Sequence, residues 1–320
     1  MKKALICGIS GQDGAYLAKF LLEKGYEVYG GSRDSQMSTF NNLGILGIKN
    51  DINLVSVNLI DFRSTLQSII KIKPDEIYNL SGQSSVSLSF EQPVETLESI
   101  SIGTLNILES IRFSNSDIKF YNAGSSECFG DTKDNPADEN TSFQPRSPYA
   151  VAKSTAFWLV SNYRESYKIN ASTGILFNHD SPLRPDRFVT KKIISTACKI
   201  SKNKNIKLKL GNIDIVRDWG WAPEYVEAMW LMLQNEIPED YVIATGESNS
   251  LMDFIITSFE YLNLNYADHV ISDNNLFRPS DFKTGRANPA KAEIKLGWKA
   301  KSMMKDVIEK MIDFELSNMM

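Results

Sequence analysis

Four side chains near the middle of the sequence have types and spacings suited to acid–base chemistry. Ser125 and Glu127 follow a β-rich run, and Tyr149 precedes Lys153 by four residues. That spacing places two side chains on one face of a helix. Because a nearby ammonium group favours the ionised phenol, we expect Lys153 to let Tyr149 act as a base near neutral pH, although tyrosine alone has a pKa of about 10. Such pairs also arise by chance on amphipathic helices, but the upstream serine and the rigid segment Pro145–Pro148 favour the catalytic interpretation.

The positions of these residues depend on the elements around them. Short β-rich runs alternate with helix-like stretches in the first half of the chain, and two further strands are predicted in the second half. The strands are predicted at Ala4–Cys7, Glu27–Gly30, Asn53–Val57, Glu76–Leu80, Lys119–Ala123, Thr173–Phe177 and Tyr241–Ala244. Predicted helices include Ala15–Lys24, ended by Gly25, and a longer amphipathic stretch at Glu95–Arg112. This alternation predicts an α/β fold with a Rossmann-type doubly wound parallel sheet, which binds ligands at the carboxyl ends of its strands.

The second half of the chain is less regular and predicts a smaller, discontinuous C-terminal substrate domain packed over that edge of the sheet. Polar loops, most of the tryptophans and several isolated arginines occur there. We expect residues 1–178, together with about 222–248, to form the dinucleotide-binding domain. Residues 179–221 and 249–320 would form the domain that binds the substrate.

Composition favours a globular enzyme over a nucleic-acid-binding or membrane protein. The 320 residues are 42% hydrophobic and 23% charged, with a net charge of −4, so no basic excess would attract nucleic acid or anionic lipid. No stretch approaches the ~20 apolar residues of a membrane span. Three widely spaced cysteines suit a reducing compartment, and we expect a cytoplasmic protein. The two histidines give no support for a His-rich zinc site.

A glycine-rich segment directly after the first predicted strand indicates a dinucleotide site. Residues 8–14 read Gly-Ile-Ser-Gly-Gln-Asp-Gly, with the spacing GxxGxxG, and lead into an amphipathic helix. Glycines allow a tight turn and a close approach of the backbone, and the helix N-terminus attracts a diphosphate. We assign to the cofactor site Gly8, Ser10, Gly11, Gln12, Asp13 and Gly14.

The end of the second predicted strand favours NADP over NAD. NAD-binding folds place an acidic residue here, where it accepts hydrogen bonds from the ribose hydroxyls. This chain has Arg33 after a small residue, and the arginine offers positive charge to a 2′-phosphate. Asp34 beside it weakens the signal, and the alternative interpretation is an arginine that only faces solvent.

The motifs together resemble those of GDP-mannose 4,6-dehydratases, which are extended short-chain dehydrogenases/reductases. The resemblance covers nearly the whole chain, through GISGQDGAYLAKFLLEKGYEVYG, EIYNLSGQSSVSLSFEQP, SSECFG, PRSPYAVAK, NYRESY, GILFNHDSP, RFVTKKI, LGNIDIVRDWG and YVEAMWLMLQ. It implies that Tyr149 takes the proton of the sugar C4 hydroxyl while hydride passes to NADP⁺. Glu127 then removes the C5 proton, water leaves C6, and the hydride returns to C6. Ser125 would bind the C4 oxygen, and Lys153 would hold the nicotinamide ribose.

The same resemblance implies further contacts. For the cofactor it adds Asn58, Leu59, Leu80, Ser81, Gln83, His179 and Arg184. For a GDP-linked sugar substrate it implies Ser84, Ser85, Ser126, Asn178, Val189, Lys192, Arg217 and Arg278. Arg217 and Arg278 would clamp the diphosphate, since guanidinium groups suit bidentate contacts with phosphate. Each charged residue taken singly is also compatible with an ordinary protein surface.

Several positions depart from the family pattern and leave the sugar open. Where the family typically has Arg-Arg, this chain has Arg33-Asp34, and where it has Gln-Ser-His, this chain has Gln83-Ser84-Ser85. The family's His-Glu-Ser is replaced by His179-Asp180-Ser181, and its Ser-Pro-Arg-Arg by Ser181-Pro182-Leu183-Arg184. The chain also looks similar to the related dehydratases for GDP-D-glycero-α-D-manno-heptose. In that interpretation, Ser85 and Leu183 help to make room for a seventh carbon. GDP-mannose and the GDP-heptose are therefore two hypotheses of near-equal weight.

Two other functions remain open from the residues alone. A GDP-sugar epimerase or 4-ketoreductase would keep the fold but leaves Glu127 without a role, because neither reaction needs a base at C5. A non-catalytic NADP-binding module would be expected to have lost Tyr149, Lys153 or Glu127, and all three are present. The family resemblance also implies a homodimer or homotetramer, in which the segment Met37–Leu43, with Met37 and Phe40 expected to be exposed, reaches a neighbouring subunit.

Overall fold

The computed structural model describes residues 1–114 and 117–319. Residues 115 and 116, within the predicted segment 1–178, and residue 320, at the end of the predicted segment 249–320, lie outside the described residues. The strands are β1 (Lys3–Cys7), β2 (Glu27–Ser32), β3 (Asn53–Ser56), β4 (Glu76–Asn79), β5 (Lys119–Ala123), β6 (Ala171–Leu176), β7 (Asn178–Asp180), β8 (Leu208–Leu210), β9 (Val216–Trp221), β10 (Tyr241–Ile243), β11 (Ser248–Ser250) and β12 (Val270–Ser272). The α-helices are α1 (Gln12–Glu23), α2 (Asn41–Ile45), α3 (Phe62–Ile72), α4 (Val86–Glu91), α5 (Pro93–Leu97), α6 (Gly103–Ser114), α7 (Pro148–Tyr167), α8 (Val189–Lys202), α9 (Ala222–Gln234), α10 (Leu251–Tyr261), α11 (Ala290–Leu296) and α12 (Met304–Ser317). Among the described residues, no helix is long and apolar enough to span a bilayer.

Seven parallel strands form the central sheet, in the order β10-β6-β5-β4-β1-β2-β3. Strands β1 and β5 are buried along almost their whole length, as expected for inner strands of a sheet that is covered on both faces. The strand order reverses at β1, so the loops that follow β1 and β4 diverge there. Doubly wound sheets bind ligands at this point. The predicted α/β fold with a Rossmann-type sheet is confirmed.

Helix α7 carries Tyr149 and Lys153, and its first turn is fixed by local sequence. The Ser147 hydroxyl accepts the Ala150 backbone N–H at 3.1 Å and so caps the helix. Pro148 occupies the first turn, where a missing N–H leaves no hydrogen bond unmade. The start of the helix, and with it the direction of the predicted catalytic pair, therefore follows from two adjacent residues.

The long helix predicted at Glu95–Arg112 is interrupted. Between α5 and α6 lies a π turn at Glu98–Ile102, and the Gly103 N–H donates to a carbonyl five residues earlier. A π turn adds one residue to a helical turn and shifts the register of the residues beyond it. The shift accompanies a hydrogen bond from the Ser101 hydroxyl to the Ala152 carbonyl of α7, at 3.1 Å. Apolar periodicity does not reveal an added residue of this kind.

Apolar side chains form separate clusters in the two parts of the chain. One lies between the sheet and helices α1 and α9, and another between the sheet and helices α3, α6 and α7. A third joins α8, α10 and α12 around β8 and β9, all within the predicted substrate domain. Trp298 instead belongs to the first cluster, and its indole N–H donates to the Glu224 carbonyl of α9 at 3.0 Å. The domain division stays a prediction, and this packing favours grouping residues 290–300 with the sheet.

The segment Met37–Leu43 contacts its own subunit more than the sequence suggested. Met37 is exposed, but Phe40 is only 3% exposed and packs into the cluster beneath α1. The Asn42 side chain donates to the Ser10 carbonyl of the glycine-rich loop at 3.0 Å. The expectation of an exposed Phe40 is therefore wrong, because a short loop has no periodicity from which burial could be inferred.

Candidate active site

A cleft of about 700 Å³ opens at the carboxyl edge of the sheet. Its lining comes from both parts of the chain. Seventeen of the predicted site residues line it: Asp13, Leu80, Ser81, Gln83, Ser84, Ser85, Ser125, Ser126, Glu127, Tyr149, Lys153, Asn178, His179, Arg184, Val189, Lys192 and Arg278. Nine predicted site residues are not among its lining residues: Gly8, Ser10, Gly11, Gln12, Gly14, Arg33, Asn58, Leu59 and Arg217. The structure therefore brings the four predicted catalytic residues together in one cleft.

Glu127 lies in a 3₁₀ turn, Ser126–Cys128, directly after β5. The Ser125 hydroxyl accepts the Glu127 backbone N–H at 3.3 Å, which fixes the turn. Burial raises the pKa of the Glu127 carboxyl above its usual value, while the charges of Arg217 and Arg278 partly oppose the rise. A carboxyl with a raised pKa takes up and returns protons at a pH closer to neutrality. Glu127 is thus suited to be a base in one step and an acid in the next.

Tyr149 and Lys153 are both buried on α7, and burial acts on both pKa values. It raises the pKa of Tyr149, although a hydrogen bond with the Ser125 side chain lowers it. It lowers the pKa of Lys153 to about 8. The Lys153 ammonium donates to the Ala123 carbonyl at 2.7 Å and lies 5.9 Å from the centre of the Tyr149 ring. Burial is thus the largest influence on the Tyr149 pKa in this arrangement, and the lowering of that pKa by Lys153 stays a prediction.

The glycine-rich loop forms a close cradle beside β4. A Cβ atom on Gly8, which has a φ of +90°, would lie 2.6 Å from the Leu80 carbonyl oxygen. A Cβ atom on Gly14 would lie 2.4 Å from the Gly8 carbonyl oxygen. Gly11 precedes α1 and has no side chain to cap it, so the first N–H groups of this 12-residue helix keep their capacity to bind an anion. These features fit the diphosphate of a dinucleotide.

The residues at the ends of β2 and β3 flank this loop. Arg33 is exposed. The Asp34 carboxylate accepts the backbone N–H groups of Gln36 and Met37, at 2.9 and 3.0 Å, and so turns into its own loop. Asn58 and Leu59 follow β3, but they do not reach the lining of the cleft. Arg33 thus stays exposed at the end of β2, whereas the Asp34 carboxylate is already hydrogen-bonded within its own loop.

The polar residues predicted from the second half have unequal positions. Arg278 lines the cleft, donates from Nε to the Ser87 hydroxyl at 3.3 Å and lies 3.7 Å from Asp281. Arg217 is only 4% exposed. Its guanidinium donates to Asp281 at 3.1 Å and also to three backbone carbonyls. In this arrangement Arg217 is held within the wall behind the cleft, whereas Arg278 faces the cleft. Lys192 lines the cleft and donates to the Lys209 carbonyl at 2.7 Å.

Some residues of the cleft carry no signal in the sequence. Asn275, Leu276 and Phe277 also line it. Asn275 and Leu276 lie in a single 3₁₀ turn, Phe277 directly follows it, and the segment has neither periodicity nor a motif. Phe188, by contrast, could have been found, because it lies between two predicted contacts; the Arg184 guanidinium stacks on its ring at 3.9 Å.

Comparisons with known proteins identify the family. The sequence profile described as GDP-mannose 4,6 dehydratase matches residues 5–311. The chain is 47% identical to GDP-mannose 4,6 dehydratase 1 of Arabidopsis thaliana, over 98% of the chain and 90% of the relative. The chain belongs to the GDP-mannose 4,6-dehydratase family. It is therefore an enzyme of the lyase type, and the resemblance inferred from the motifs is confirmed.

Solved structures show the same architecture at much lower identity. The dTDP-glucose 4,6-dehydratase from Bacillus anthracis, in complex with NAD, superposes with a TM-score of 0.86 at 18% identity, covering 99% of this chain and 97% of that one. RMD from Pseudomonas aeruginosa, complexed with NADPH, gives 0.81 at 20% identity and covers 99% and 100%. At these identities the likeness concerns the fold alone, and it agrees with the doubly wound sheet.

Proposed function

We propose that this member of the family converts a GDP-linked manno-configured sugar into its 4-keto-6-deoxy form, with NADP as cofactor. The observation that carries the proposal is the position of Glu127 in one cleft with Ser125 and Tyr149. Loss of water across C5 and C6 needs a base for the C5 proton, and a carboxylate in that place supplies it. Epimerisation at C4 and reduction of a 4-ketone need no such base.

The residues of the cleft divide the proton transfers between them. Tyr149 Oη takes the proton of the C4 hydroxyl, and the Ser125 hydroxyl hydrogen-bonds the C4 oxygen. A bound nicotinamide would accept hydride from C4 and later supply it to C6. Once C4 is a ketone, the C5 proton is acidic, and Glu127 removes it. Glu127 then passes this proton to the departing C6 hydroxyl, which leaves as water. When hydride returns to C6, C5 needs a new proton, which Glu127 supplies after taking one up from solvent; its raised pKa suits both directions of transfer.

Several observations support a dinucleotide, and NADP in particular. The Gly8 and Gly14 cradle leaves space that a Cβ atom would fill, and the start of α1 offers N–H groups to a diphosphate. At the end of β2, Asp34 is occupied by its own loop. Arg33 is the exposed charge that remains for a 2′-phosphate. Lys153 and His179 line the cleft where the nicotinamide half would lie.

Incubation of the purified protein with GDP-mannose and with the GDP-manno-heptose, in separate reactions without added NADPH, tests the reaction. Mass spectrometry should show loss of one water from at least one sugar, because the cofactor ends each cycle in its starting form. No mass change with either sugar would contradict the proposal. In a parallel reaction with added NADPH, consumption of NADPH without loss of water would instead identify a ketoreductase.

The same experiment decides the sugar. Ser85 caps helix α4 through the Leu88 N–H and lines the cleft. Leu183 is only 5% exposed and packs into the cluster under the sheet, so it can enlarge the cleft only indirectly. We therefore propose Ser85 as the position where a seventh carbon would be accommodated. Absence of turnover of the GDP-heptose would remove that proposal and leave GDP-mannose.

We also propose that the protein forms a homo-oligomer. Helices α5 and α7 pack side by side and expose large apolar side chains. Val94 and Trp158 are 66% and 62% exposed, and Leu97 and Val151 about 40%. A second copy of the chain would bury this face. Light scattering should give the mass of a dimer or tetramer, and a monomer mass would contradict the proposal.

A cytoplasmic location fits the cysteines. Cys7, Cys128 and Cys198 are free and buried, which suits a reducing compartment. Fractionation of cells that produce the full chain, followed by detection with an antibody, should place it with the cytosolic proteins. Recovery with the membranes or the secreted proteins would contradict this assignment.

A further inference from the structure

His179 is enclosed between two oxygen acceptors. Its Nδ1 lies 2.7 Å from the Phe177 carbonyl oxygen, and its Nε2 lies 2.9 Å from the Asp13 carboxylate. A carbonyl oxygen can only accept a hydrogen bond, and an ionised carboxylate can only accept one. A neutral imidazole carries one N–H and would leave its other nitrogen lone pair facing an oxygen. Both contacts are hydrogen bonds at once only when the ring carries both protons.

The carboxylate in this pair is ionised. Burial opposes that state, but the His179 charge and hydrogen bonds from His179 and Gln12 lower the pKa of Asp13 to about 2. The Gln12 amide donates to the second carboxylate oxygen at 3.0 Å. On the histidine, burial lowers the pKa, but Asp13 outweighs it and the pKa is raised above the usual value of 6.5.

The surrounding charges and rings belong to several elements. Arg184 lowers the pKa of both groups and is itself paired with Asp180 at 3.1 Å. The Tyr225 ring of α9 stacks on the imidazole with ring centres 4.5 Å apart. Burial raises the pKa of Tyr121 and lowers that of Lys153, and the Asp13 charge adds to the first change and partly opposes the second. Asp13 is thus the anion next to the imidazole, and Arg184 is the cation that opposes protonation.

The pair lies where two functional segments meet. Asp13 is in the first turn of α1, directly after the glycine-rich loop, and His179 is in β7, where the predicted GDP-sugar residues begin. Gln12 strengthens the same contact: its amide donates to the His179 carbonyl at 3.2 Å and its oxygen accepts the Ser181 hydroxyl at 2.7 Å. One ion pair and two hydrogen bonds therefore join the glycine-rich loop with the first turn of α1 (residues 8–14, the cofactor loop) to β7 with Ser181 (residues 178–181, the substrate segment).

We propose that Asp13 is a positioning residue that keeps His179 as an imidazolium, and that this proton fixes the cofactor loop to the substrate segment. Its importance for the reaction rests on the proposed function, but the state of the proton does not. Since the folded pKa of His179 is raised, the ion pair is fully present below about pH 6.5 and is lost as the pH rises through the raised value, where a neutral imidazole keeps only one of the two hydrogen bonds. At the acid end it is lost only as the pH falls towards about 2, the lowered pKa of Asp13.

The test uses the full chain and needs no turnover. The sequence contains two histidines, so NMR of histidine-labelled protein gives two Cε1–H signals, and His269→Gln assigns them. We expect the His179 signal to titrate with a midpoint above 6.5 in the parent protein. In Asp13→Asn the midpoint should fall below 6.5, because burial and Arg184 are then opposed only by the hydrogen bond with the Phe177 carbonyl, while the His269 signal should respond identically in both proteins. A His179 midpoint at or below 6.5 in the parent protein would overturn the proposal, and so would an unchanged midpoint in Asp13→Asn. If Asp13→Asn does not fold, the titration of the parent protein decides alone.

Binding of NADP⁺, measured by calorimetry on both proteins between pH 6 and 9, connects the proton to the site. Above the His179 midpoint the parent protein should lose affinity with rising pH, by at most about tenfold per pH unit because one proton is involved, and Asp13→Asn should lack this loss. Equal pH dependence with an intact NMR difference would overturn the part of the proposal that concerns the cofactor loop. Absence of NADP⁺ binding by either protein would contradict the proposed cofactor instead, and the NMR result would still stand.

Discussion

The role of Glu127 can be tested by replacing it with glutamine, which has the same shape but is not a base. The backbone N–H that Ser125 accepts at 3.3 Å is unchanged by the substitution, so the 3₁₀ turn and the Ser125–Tyr149 contact should persist. Only the proton transfers at C5 and C6 are removed. General base catalysis contributes about 10²–10⁴-fold, so we expect the rate of water loss in Glu127→Gln to fall by that factor while GDP binding is unchanged.

Mass spectrometry of the reaction in D₂O separates the steps. The parent protein should release product with one water lost and deuterium at C5, because the proton that Glu127 removes leaves with the water and the new proton at C5 comes from solvent. Glu127→Gln should give neither change while still transferring hydride from C4, seen as absorbance of reduced nicotinamide. Glu91→Gln is the matched control, since Glu91 lines the same cleft but is exposed and lies away from β5. Water loss at the parent rate in Glu127→Gln would refute the assignment of Glu127 as the base.

The same carboxyl predicts a pH dependence. Burial raises the pKa of Glu127 above its usual value of 4.5, and a base must be ionised to act. The rate of water loss should therefore fall as the pH drops through a midpoint above 4.5, and a profile flat down to pH 4.5 would contradict this. Gly14→Ala should abolish dinucleotide binding, measured by calorimetry, because the new Cβ would lie 2.4 Å from a backbone carbonyl oxygen. The control Gly44→Ala, whose new Cβ meets nothing within 4 Å, should bind the dinucleotide normally. Arg33→Ser should reduce the preference for NADP over NAD, measured as the ratio of the two dissociation constants, since it removes the exposed charge at the end of β2; an unchanged ratio would mean that another group binds the 2′-phosphate. Ser147→Ala should lower the free energy of unfolding by about 1 kcal/mol through loss of the α7 cap, as thermal denaturation would show, and an unchanged melting temperature would contradict the capping role.

The sheet could be predicted because its signals are local. Each strand is a short apolar run bounded by turn residues, and the seven predicted strands coincide with the seven strands of the central sheet to within two residues at each end. Alternation with helices then restricts the connection to a parallel sheet. The loops at its carboxyl edge were predicted to hold the site, and Ser125, Glu127, Tyr149 and Lys153 do share one cleft.

The parts that could not be predicted depend on contacts between distant segments. The sequence places Lys153 on one helix face with Tyr149, but it does not reveal that the ammonium group donates to the Ala123 carbonyl, 30 residues away in sequence. The pairing of Asp13 with His179 joins residues 166 positions apart. The sequence identifies these residues as site candidates. It does not reveal how deeply each side chain is buried or which group it contacts, and these two properties of the folded chain set the pKa values.

The π turn at Glu98–Ile102 restricts which changes in length the chain can tolerate. Ile100 in this turn packs with Tyr149 and Ala152 of α7, so the helix supports the catalytic tyrosine directly. Removing one residue here would restore a regular α-helix and rotate everything beyond it by about 100°, one residue's share of a helical turn. Single-residue deletions between positions 98 and 102 should therefore be excluded among active relatives, while loops remote from α7 can vary in length.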